Sequence, residues 1–485
     1  MSGTEPSILW YDLETFGGDP AADPVAQVAW CRTDLALRPL AEPTSLFCRP
    51  PWFCLPDPEA CLITRITPQQ CVAQGVSQHH FTNQLLAELS QPETTSAGYN
   101  VIRFDDEFVR HLLWRELLDP YAREWQNGNQ RFDLLDAVRM TYALRPEGIL
   151  WPVRDDGLPS FKLEQLVLAN QLPQPRAHDA ASDVEATIAL ARLLQEAQPK
   201  LFAWTRRMAD KQVVRELLRW DPATPVIHVS GRYSAERGCL AMVLPLGRHP
   251  RQANKVAVFD LDQDPQQWSD LDQQQLSERI FAPRTVQLER PGVKFVHVGR
   301  CPMLAPVSVL AASDTQRIGL NPERCQAHAR QLDERPELKQ RLLQALAQER
   351  DWDSDQPGDP ESELYAGFVS PADRSRLLAV RAEPTAALPR FEDPRLAELA
   401  WRWVSRVTGE DNQGDRQRWQ ALAYARLSEG YRRQPPYAQW QQQLEQLMVD
   451  NQLDRQALGV LAQLKRWGQC ASNEAGLTTD VSEEA

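Results

Sequence analysis

The chain has 485 residues, more than a single hydrophobic core usually holds, so two or three domains are expected. Its composition, 42% apolar and 25% charged, is ordinary for a globular protein, and its net charge of −13 argues against indiscriminate nucleic-acid binding over the whole surface. A site of carboxylates and metal ions, with local basic patches for phosphates, remains compatible with this charge.

The sequence also indicates the cellular compartment. No apolar run reaches membrane-spanning length, and the N-terminus lacks the basic-then-apolar order of a signal peptide. The nine cysteines are scattered singly and form no C-x-x-C, so neither a zinc knuckle nor a disulfide framework is predicted. We therefore expect a cytoplasmic protein with reduced thiols and no membrane contact.

The first 196 residues combine strands and helices. The four apolar residues 8–11 lead into Asp12-x-Glu14, and Gly17 and Gly18 close the run, which is typical of a buried strand. Further strands are predicted at residues 24–30, 46–48 and 96–100. Helices are predicted from Thr67, over 82–89, from 105, over 134–142, from Ser160 with a capping box to Glu164, and over 179–194. This mixture predicts an α/β domain over residues 1–196.

The rest of the chain predicts two further domains. Short β-rich runs separated by glycine and proline, followed by helical periodicity at 321–349, indicate a small β-barrel or β-sandwich domain over residues 199–352. The acidic, proline- and glycine-rich residues 351–361 predict a linker to an all-α domain over 356–472, and 473–485 a disordered acidic tail. Trp401 and Trp403 cannot share one helical face, so one of them should face a neighbouring domain or solvent.

The first predicted strand carries two acids at alternate positions, Asp12 and Glu14. Residues two apart in a strand point to the same face, so the two carboxylates should project side by side. Two carboxylates held together repel each other unless a positive charge lies between them. A divalent cation is the usual remedy, although either acid alone could be an ordinary exposed strand residue.

Three more residues complete a candidate catalytic set. Asp105 follows a predicted strand, and His178 and Asp183 lie at the start of a strongly amphipathic helix. Four acids with oxygen ligands suit Mg²⁺ or Mn²⁺. Two such ions could stabilise the attacking and the leaving oxygen of an in-line phosphoryl displacement. Asp12, Glu14 and Asp183 are predicted to hold the ions and Asp105 to position the second through water.

The remaining role is that of the general base, which we assign to His178. Two alternatives stay open. Asp106 could be the site residue in place of Asp105, and Asp179 could be the ligand in place of Asp183. The other seven histidines are predicted to be structural.

The order Asp-x-Glu, Asn-x-x-x-Phe-Asp, His-x-x-x-x-Asp resembles the DEDDh 3′→5′ exonucleases. Longer segments are similar to the bacterial exonuclease I family within them, among others Y-D-x-E-T-F-G at 11–17, G-Y-N-x-x-R-F-D-D-E at 98–107 and L-Y-x-G-F at 364–368. The resemblance covers nearly the whole chain and fades after about residue 400.

This resemblance implies a ribonuclease-H-like exonuclease core, an SH3-like β domain and a helical C-terminal domain, which together enclose single-stranded DNA. It implies a monomeric phosphodiester hydrolase that processively removes 5′-mononucleotides from 3′ ends with two Mg²⁺ ions, for which Mn²⁺ may substitute. It also implies roles in DNA repair and recombination near the nucleoid, and docking onto the C-terminal tail of single-stranded DNA-binding protein.

Matching positions imply which residues contact these partners. Substrate contacts are implied at Glu14, Arg110, Tyr121, Trp125, Arg139 and Lys162, and contacts to the partner protein at Arg145 and Trp204. Aromatic faces stack bases without selecting sequence, and arginines hold phosphates. At the position of Lys162 the family more often carries arginine. Lysine keeps the positive charge but lacks the planar guanidinium group with its paired N–H donors.

Two rival functions remain. A ribonuclease or oligoribonuclease could use the same four acids, although small RNA-trimming enzymes of this type lack the roughly 290 residues that follow the core here. A non-catalytic binding protein with a degenerate site is the other, and the presence of all five site residues argues against it.

Overall fold

The structure, a computed structural model, describes residues 5–173, 180–283, 285–348, 358–409, 413–449 and 453–477. The strands are β1 (Ser7–Thr15), β2 (Val25–Thr33), β3 (Thr44–Phe47), β4 (Thr94–Gly98), β5 (Gln130–Asp133), β6 (Val226–Val229), β7 (Leu240–Arg248), β8 (Lys255–Asp260), β9 (Val293–His297) and β10 (Met303–Pro306). No helix in these ranges is both long and apolar enough to span a membrane.

The helices fall into three groups along the chain. The first group is α1 (Pro58–Thr64), α2 (Pro68–Gln74), α3 (Gln78–Leu89), α4 (Asp105–Arg115), α5 (Leu134–Leu144), α6 (Leu163–Ala169), α7 (Ala180–Ala197) and α8 (Pro199–Arg207). The second is α9 (Lys211–Leu217), α10 (Gln273–Ile280), α11 (Ala312–Arg317), α12 (Pro322–Asp333) and α13 (Pro336–Ala347). The third is α14 (Pro371–Ala382), α15 (Pro394–Thr408), α16 (Gln413–Glu429), α17 (Tyr437–Met448) and α18 (Arg455–Ala475).

The N-terminal domain is built on a five-stranded sheet in the order β3-β2-β1-β4-β5. The central strand β1 runs parallel to β4 and antiparallel to β2, and β4 runs parallel to β5. Leu9 and Tyr11 face the apolar cluster that α4 shares, whereas Ile8 and Trp10 face the cluster that α7 shares. Because side chains alternate along a strand, the face that points to α7 continues beyond Trp10 through the end of β1.

The second domain, here called the β domain, has an antiparallel sheet in the order β10-β6-β7-β8-β9. The predicted β-rich runs are confirmed as β6 to β9. The boundary predicted between residues 196 and 199 falls between two packed helices, because α8 follows α7 directly. Phe202 of α8 packs edge-on against Phe132 of β5, with ring centroids 6.0 Å apart, so α8 belongs to the N-terminal domain.

The C-terminal domain docks firmly on the N-terminal domain. Three described indole N–H groups of the C-terminal domain cross this interface: Trp403 donates to the Glu116 carboxylate at 2.8 Å, Trp440 to the Pro56 carbonyl at 2.6 Å and Trp467 to the Cys54 carbonyl at 2.8 Å. Trp403 is the tryptophan of the 401/403 pair that faces a neighbouring domain, as predicted. Buried indoles usually need such an acceptor, so these contacts fix the interface.

Part of the predicted linker is buried rather than extended in solvent. Asp359 accepts hydrogen bonds from Arg402 at 2.8 Å and Arg426 at 2.6 Å, and Glu361 pairs with Arg402 and Arg406. Acidic composition suggested a solvated segment, but these guanidinium groups neutralise it. Residues 351–357 of the predicted linker lie outside the described ranges. At the other end, α18 runs through Ala475 and so includes residues assigned to the tail, whereas 478–485 are not described.

All three domains meet at one carboxylate. Glu107 of α4 accepts hydrogen bonds from Arg110 in the same helix at 2.8 Å and from Arg300 of the β domain at 2.9 Å. Its second oxygen accepts the hydroxyl of Tyr365, in the segment that leads into the C-terminal domain. Glu107 therefore links the N-terminal domain to both other domains.

Candidate active site

Asp12 and Glu14 lie at the carboxyl end of β1 on the face that points to α7. Asp12 stands opposite Ala29 and Glu14 opposite Gln27 of β2, and the register shifts after Glu14. Both side chains are half-buried. The strand therefore presents two carboxylates side by side at the rim of the sheet, as its alternation predicted.

Asp183 joins these two acids from the first turn of α7. The three residues each offer a carboxylate oxygen, and these oxygens lie within 4.8 Å of one another. In the parts of the chain that the structure describes, no other group of three potential ligands lies this close. Hard divalent cations prefer such oxygen ligands, so the donor set fits Mg²⁺ or Mn²⁺.

Without a cation, the ionised forms of these carboxylates are unfavourable. Burial, and then the neighbouring Asp183 carboxylate, raise the pKa of Asp12 to about 8. Burial and the charge of Asp12 also raise the pKa of Asp105 well above its ordinary value. A bound divalent cation reverses this effect, because it favours the charged form of each carboxylate.

Asp105, which follows the neighbouring strand β4 and begins α4, closes the site. Strand β4 pairs with β1 only as far as Trp10, and beyond that point the edge of β1 is open. The side chain of Asp105, at the start of α4, accepts the backbone N–H of Leu13 there at 2.8 Å. Asp105 is therefore held beside Asp12, outside the group of three carboxylates.

Asp106, the alternative to Asp105, has other partners. It accepts the hydroxyl of Tyr11 at 2.7 Å and pairs with Arg123 at 2.5 Å and Arg131 at 2.8 Å. Although burial alone would raise its pKa, these guanidinium groups lower the pKa of Asp106 below its ordinary value. The geometry thus favours Asp105 as the site residue and gives Asp106 a structural role that fixes α4 to the sheet.

Sequence reasoning missed the supporting residues Tyr11, Arg123 and Arg131. They lie 95, 17 and 25 positions from Asp106, and only the fold brings them to it. His178 and Asp179 lie outside the described residues. Their predicted roles therefore remain predictions.

The predicted substrate contacts differ in exposure. Trp125 is 57% exposed, which excludes a core role, and the Lys162 side chain is 69% exposed. Arg139 pairs with Asp136 at 2.8 Å and lies over the ring of Phe161. Trp125 and Lys162 are therefore accessible from solvent, whereas only 19% of the Arg139 side chain is exposed.

Arg110 and Tyr121 form a supported pair. The Arg110 guanidinium lies 5.4 Å from the centroid of the Tyr121 ring, and it pairs with Glu124 at 2.7 Å and Glu107 at 2.8 Å. Only 8% of its side chain is exposed. Arg110 is thus better placed to hold Tyr121 in position than to bind a phosphate itself.

The two predicted partner contacts lie where the N-terminal domain meets the β domain. Arg145 pairs with Asp314 at 2.9 Å and donates to the Val309 carbonyl at 2.9 Å. Trp204 donates to the Leu304 carbonyl at 2.8 Å, and Arg207 stacks on its ring. Both side chains are half-buried, so part of each remains accessible.

Comparison with known proteins identifies the family. Three family models match in succession: an exonuclease model over residues 9–191, the exonuclease I SH3-like domain over 209–348 and the exonuclease I C-terminal domain over 358–471. Exodeoxyribonuclease I of Escherichia coli is 38% identical over 423 residues, which cover 86% of this chain and 88% of that protein.

The chain belongs to the exonuclease I family.

Solved structures of this family resemble the chain throughout. Exonuclease I from Methylocaldum szegediense is 42% identical with a TM-score of 0.90, covering 96% of this chain and 99% of that one. Escherichia coli exonuclease I in complex with a dA16 oligonucleotide is 35% identical with a TM-score of 0.91, covering 96% and 100%. An ExoI/SSB-Ct complex is 34% identical with a TM-score of 0.88, covering 96% and 99%. The predicted exonuclease core, SH3-like domain and helical C-terminal domain are confirmed.

In this exonuclease I family member, we expect the stabilisation of the fold by divalent metal to depend on pH. Because the pKa of Asp12 is raised to about 8 in the metal-free fold, folding takes up a proton at intermediate pH. Stability without metal should therefore fall as pH rises from about 4 to about 8. A divalent cation must displace that proton at low pH and not at high pH, so Mg²⁺ should stabilise more at pH near 8 than near 5, by on the order of 1–3 kcal/mol.

Thermal unfolding with Mg²⁺ and with chelator, at both pH values, measures this difference. The Asp12→Asn variant is the control, since it removes the titrating group and should flatten the pH dependence of the metal effect. An equal metal-induced shift in Tm at both pH values in the wild-type chain would contradict the assignment of Asp12 as a ligand.

Proposed function

We propose that this chain is a divalent-metal-dependent 3′→5′ exonuclease that degrades single-stranded DNA to 5′-mononucleotides. The observation that carries the proposal is the group of three carboxylates from Asp12, Glu14 and Asp183 at the open end of β1, with Asp105 beside it. The likeness over 96% of the chain to an exonuclease I solved with a dA16 oligonucleotide supports the substrate class.

Each residue has a proposed role in phosphodiester hydrolysis. Asp12, Glu14 and Asp183 would hold two Mg²⁺ ions, and Asp105 would contribute by orienting water. When bound, the two cations supply the positive charge that stabilises the attacking and leaving oxygens of an in-line displacement. His178 accepts the proton of the attacking water, and the carboxylates orient that water toward phosphorus. The P–O3′ bond then breaks, the O3′ of the shortened strand takes up a proton from water, and the terminal residue leaves as a 5′-mononucleotide.

The groove that feeds the site uses sequence-independent contacts. Trp125 and Tyr121 stack bases, Lys162 and Glu14 contact the terminal nucleotide, and Arg139 lies next to the backbone. The exposure of Trp125 supports stacking. Such contacts favour processive movement along a strand, because every nucleotide offers the same stacking face and the same phosphate.

Further properties of the family are proposed by extension. We propose that the chain is a cytoplasmic, nucleoid-associated monomer that acts in DNA repair and recombination. Its partner surface at Arg145 and Trp204 would receive the C-terminal tail of single-stranded DNA-binding protein, a proposal supported by the similarity to the ExoI/SSB-Ct complex.

A time course on end-labelled strands tests the proposal. With Mg²⁺, a 3′-labelled single strand should release labelled mononucleotide at once, whereas a 5′-labelled strand should shorten progressively. A duplex and an RNA strand of the same sequence serve as controls and should be degraded much more slowly. Faster degradation of RNA would establish the ribonuclease alternative instead, and mononucleotide release that persists in excess chelator would refute the metal-dependent mechanism.

A further inference from the structure

A cleft of about 420 Å³ lies at the end of the N-terminal sheet opposite the catalytic carboxylates. It is formed by α8, α9 and the first residues of β4 and β5. Both strands run in the direction of β1, and the carboxylates stand at the carboxyl end of β1. The polar and aromatic side chains that line the cleft are Thr95, Gln130, Phe132, Arg206, Arg207 and Asp210. The cleft is therefore separate from the active site.

Two arginines of α8 line this cleft without an acidic partner. Among the described residues, neither the Arg206 nor the Arg207 guanidinium has a carboxylate oxygen within 4.0 Å. Arg206 is half-buried and donates a long hydrogen bond to the Leu35 carbonyl at 3.4 Å. Burial lowers the pKa of Arg206 below its ordinary value, with no carboxylate to offset the effect. An anion in the cleft would supply the missing countercharge.

The cleft is also distinct from the predicted partner surface at Trp204. The Trp204 indole is directed to the Leu304 carbonyl of the β domain. Arg206 follows Trp204 by two residues, about 200° around the helix, and so lies on the opposite flank of α8. Arg207 lies at the exposed edge between the two flanks, with its guanidinium carbon 5.0 Å from the centroid of the Trp204 ring.

The other lining residues indicate which kind of anion fits. Asp210 caps α9 by accepting the backbone N–H of Gln212 at 2.7 Å, so a carboxylate stands in the same cleft as the two arginines. It repels a ligand with several negative charges, such as an acidic peptide, but it accepts hydrogen bonds from hydroxyl and amino groups. The Gln130 amide is exposed, and Phe132 adds apolar surface. The volume exceeds that of a bare phosphate and lies within the roughly 300–1,000 Å³ of small-molecule sites.

We propose that this cleft binds a nucleoside 5′-monophosphate, with its phosphate on Arg206 and Arg207 and its sugar or base toward Asp210 and Gln130. A phosphate monoester suits two guanidinium groups because each offers paired N–H donors. The inference goes beyond the proposed function and does not rest on it, since the cleft contains none of the catalytic carboxylates. Two sources share this chemistry, namely the mononucleotides that the proposed reaction releases and free ribonucleotides.

Calorimetric titration of the full-length chain in excess chelator tests the cleft. The probes are deoxyadenosine 5′-monophosphate (dAMP), its ribose counterpart AMP, adenosine and inorganic phosphate. We expect one equivalent of dAMP or AMP to bind, and adenosine and phosphate to bind at least about tenfold more weakly, because each lacks one part of the contacts. Tighter binding of dAMP would point to the reaction product as the natural ligand, and tighter binding of AMP to a ribonucleotide.

Three variants locate the ligand in the cleft. Arg206→Met removes the charge and should raise the Kd for the nucleotide about tenfold, the effect of one charge-assisted hydrogen bond. Arg207→Met changes an exposed side chain in the same direction, which keeps the test valid if Arg206→Met fails to fold. Asp210→Asn keeps a helix-capping side chain without its charge, so it should weaken the binding of nucleotide and strengthen that of inorganic phosphate.

Two controls decide between the cleft and other sites. Arg154→Met removes an exposed arginine that pairs with Asp156 elsewhere in the domain, and Lys162→Met removes a predicted contact of the active site. Both should keep the wild-type Kd. If Lys162→Met loses the nucleotide while both α8 variants keep it, the ligand lies in the active site and the inference is refuted. Equal affinity for phosphate and nucleotides, or no binding below about 1 mM, also refutes it. A chain that binds the nucleotide but does not digest single-stranded DNA would contradict the proposed function alone.

Discussion

The Asp183→Asn variant should hydrolyse single-stranded DNA more than about a hundredfold more slowly than the wild-type chain, a loss of several kcal/mol of transition-state stabilisation. The variant keeps the shape of the side chain but removes one of the three carboxylates that lie within 4.8 Å of one another. A site with one charge fewer holds divalent cations less tightly and positions them less well. Single-turnover rates at saturating Mg²⁺ measure the effect.

The same substitution should not weaken the fold. Asp183 contributes to the raised pKa of Asp12, so removing its charge relieves repulsion, and metal-free stability at pH near 8 should stay equal or increase. Asp179→Asn is the matched comparison, because the sequence leaves Asp179 open as the alternative ligand. Near-normal hydrolysis by Asp183→Asn together with a large loss in Asp179→Asn would transfer the ligand role to Asp179.

The His178→Ala variant should lower the rate of hydrolysis by roughly 10²–10⁴-fold, the usual contribution of a positioned general base. Binding of DNA without divalent metal should stay unchanged, since the imidazole is assigned no part in holding the strand. An imidazole ordinarily titrates near pH 6.5, so the wild-type rate should rise with pH through about that value, and the variant should lose this rise.

An exposed histidine provides the control for that experiment. His80→Ala, on the surface of α3, should keep the wild-type rate and pH profile. If His178→Ala keeps the rise with pH, another group titrates there and the base has been assigned to the wrong residue. If it keeps more than about half of the wild-type rate, the reaction does not depend on this side chain.

Local rules sufficed for the parts of the fold where neighbours along the chain decide the structure. The alternation of residues 8–14 placed Asp12 and Glu14 on one face, and Thr67 caps α2 with Pro68 in its first turn, as predicted. The prediction of a capping box from Ser160 to Glu164 was wrong. Helix α6 begins at Leu163, and the Ser160 hydroxyl accepts the backbone N–H of Lys162 instead.

Contacts between distant residues decided the rest. Asp105 and Asp106 are neighbours at the start of one helix, and no local pattern separates them. Only the partners Leu13 for the first, and Tyr11 and Arg131 for the second, assign their roles. The short strands β5 and β10 were missed, since neither contains a β-branched residue and each depends on a neighbouring strand.

The docked tryptophans limit how this chain can be divided. A fragment that ends before residue 358 would lose the indole donor to Glu116 and uncover Trp114 and Leu117, which pack against the C-terminal domain. Glu116 would keep its partners Gln78 and His79, but the newly exposed apolar surface favours aggregation over an independent fold. The catalytic domain is therefore not a portable module, because its surface is completed by the domain that carries these indoles.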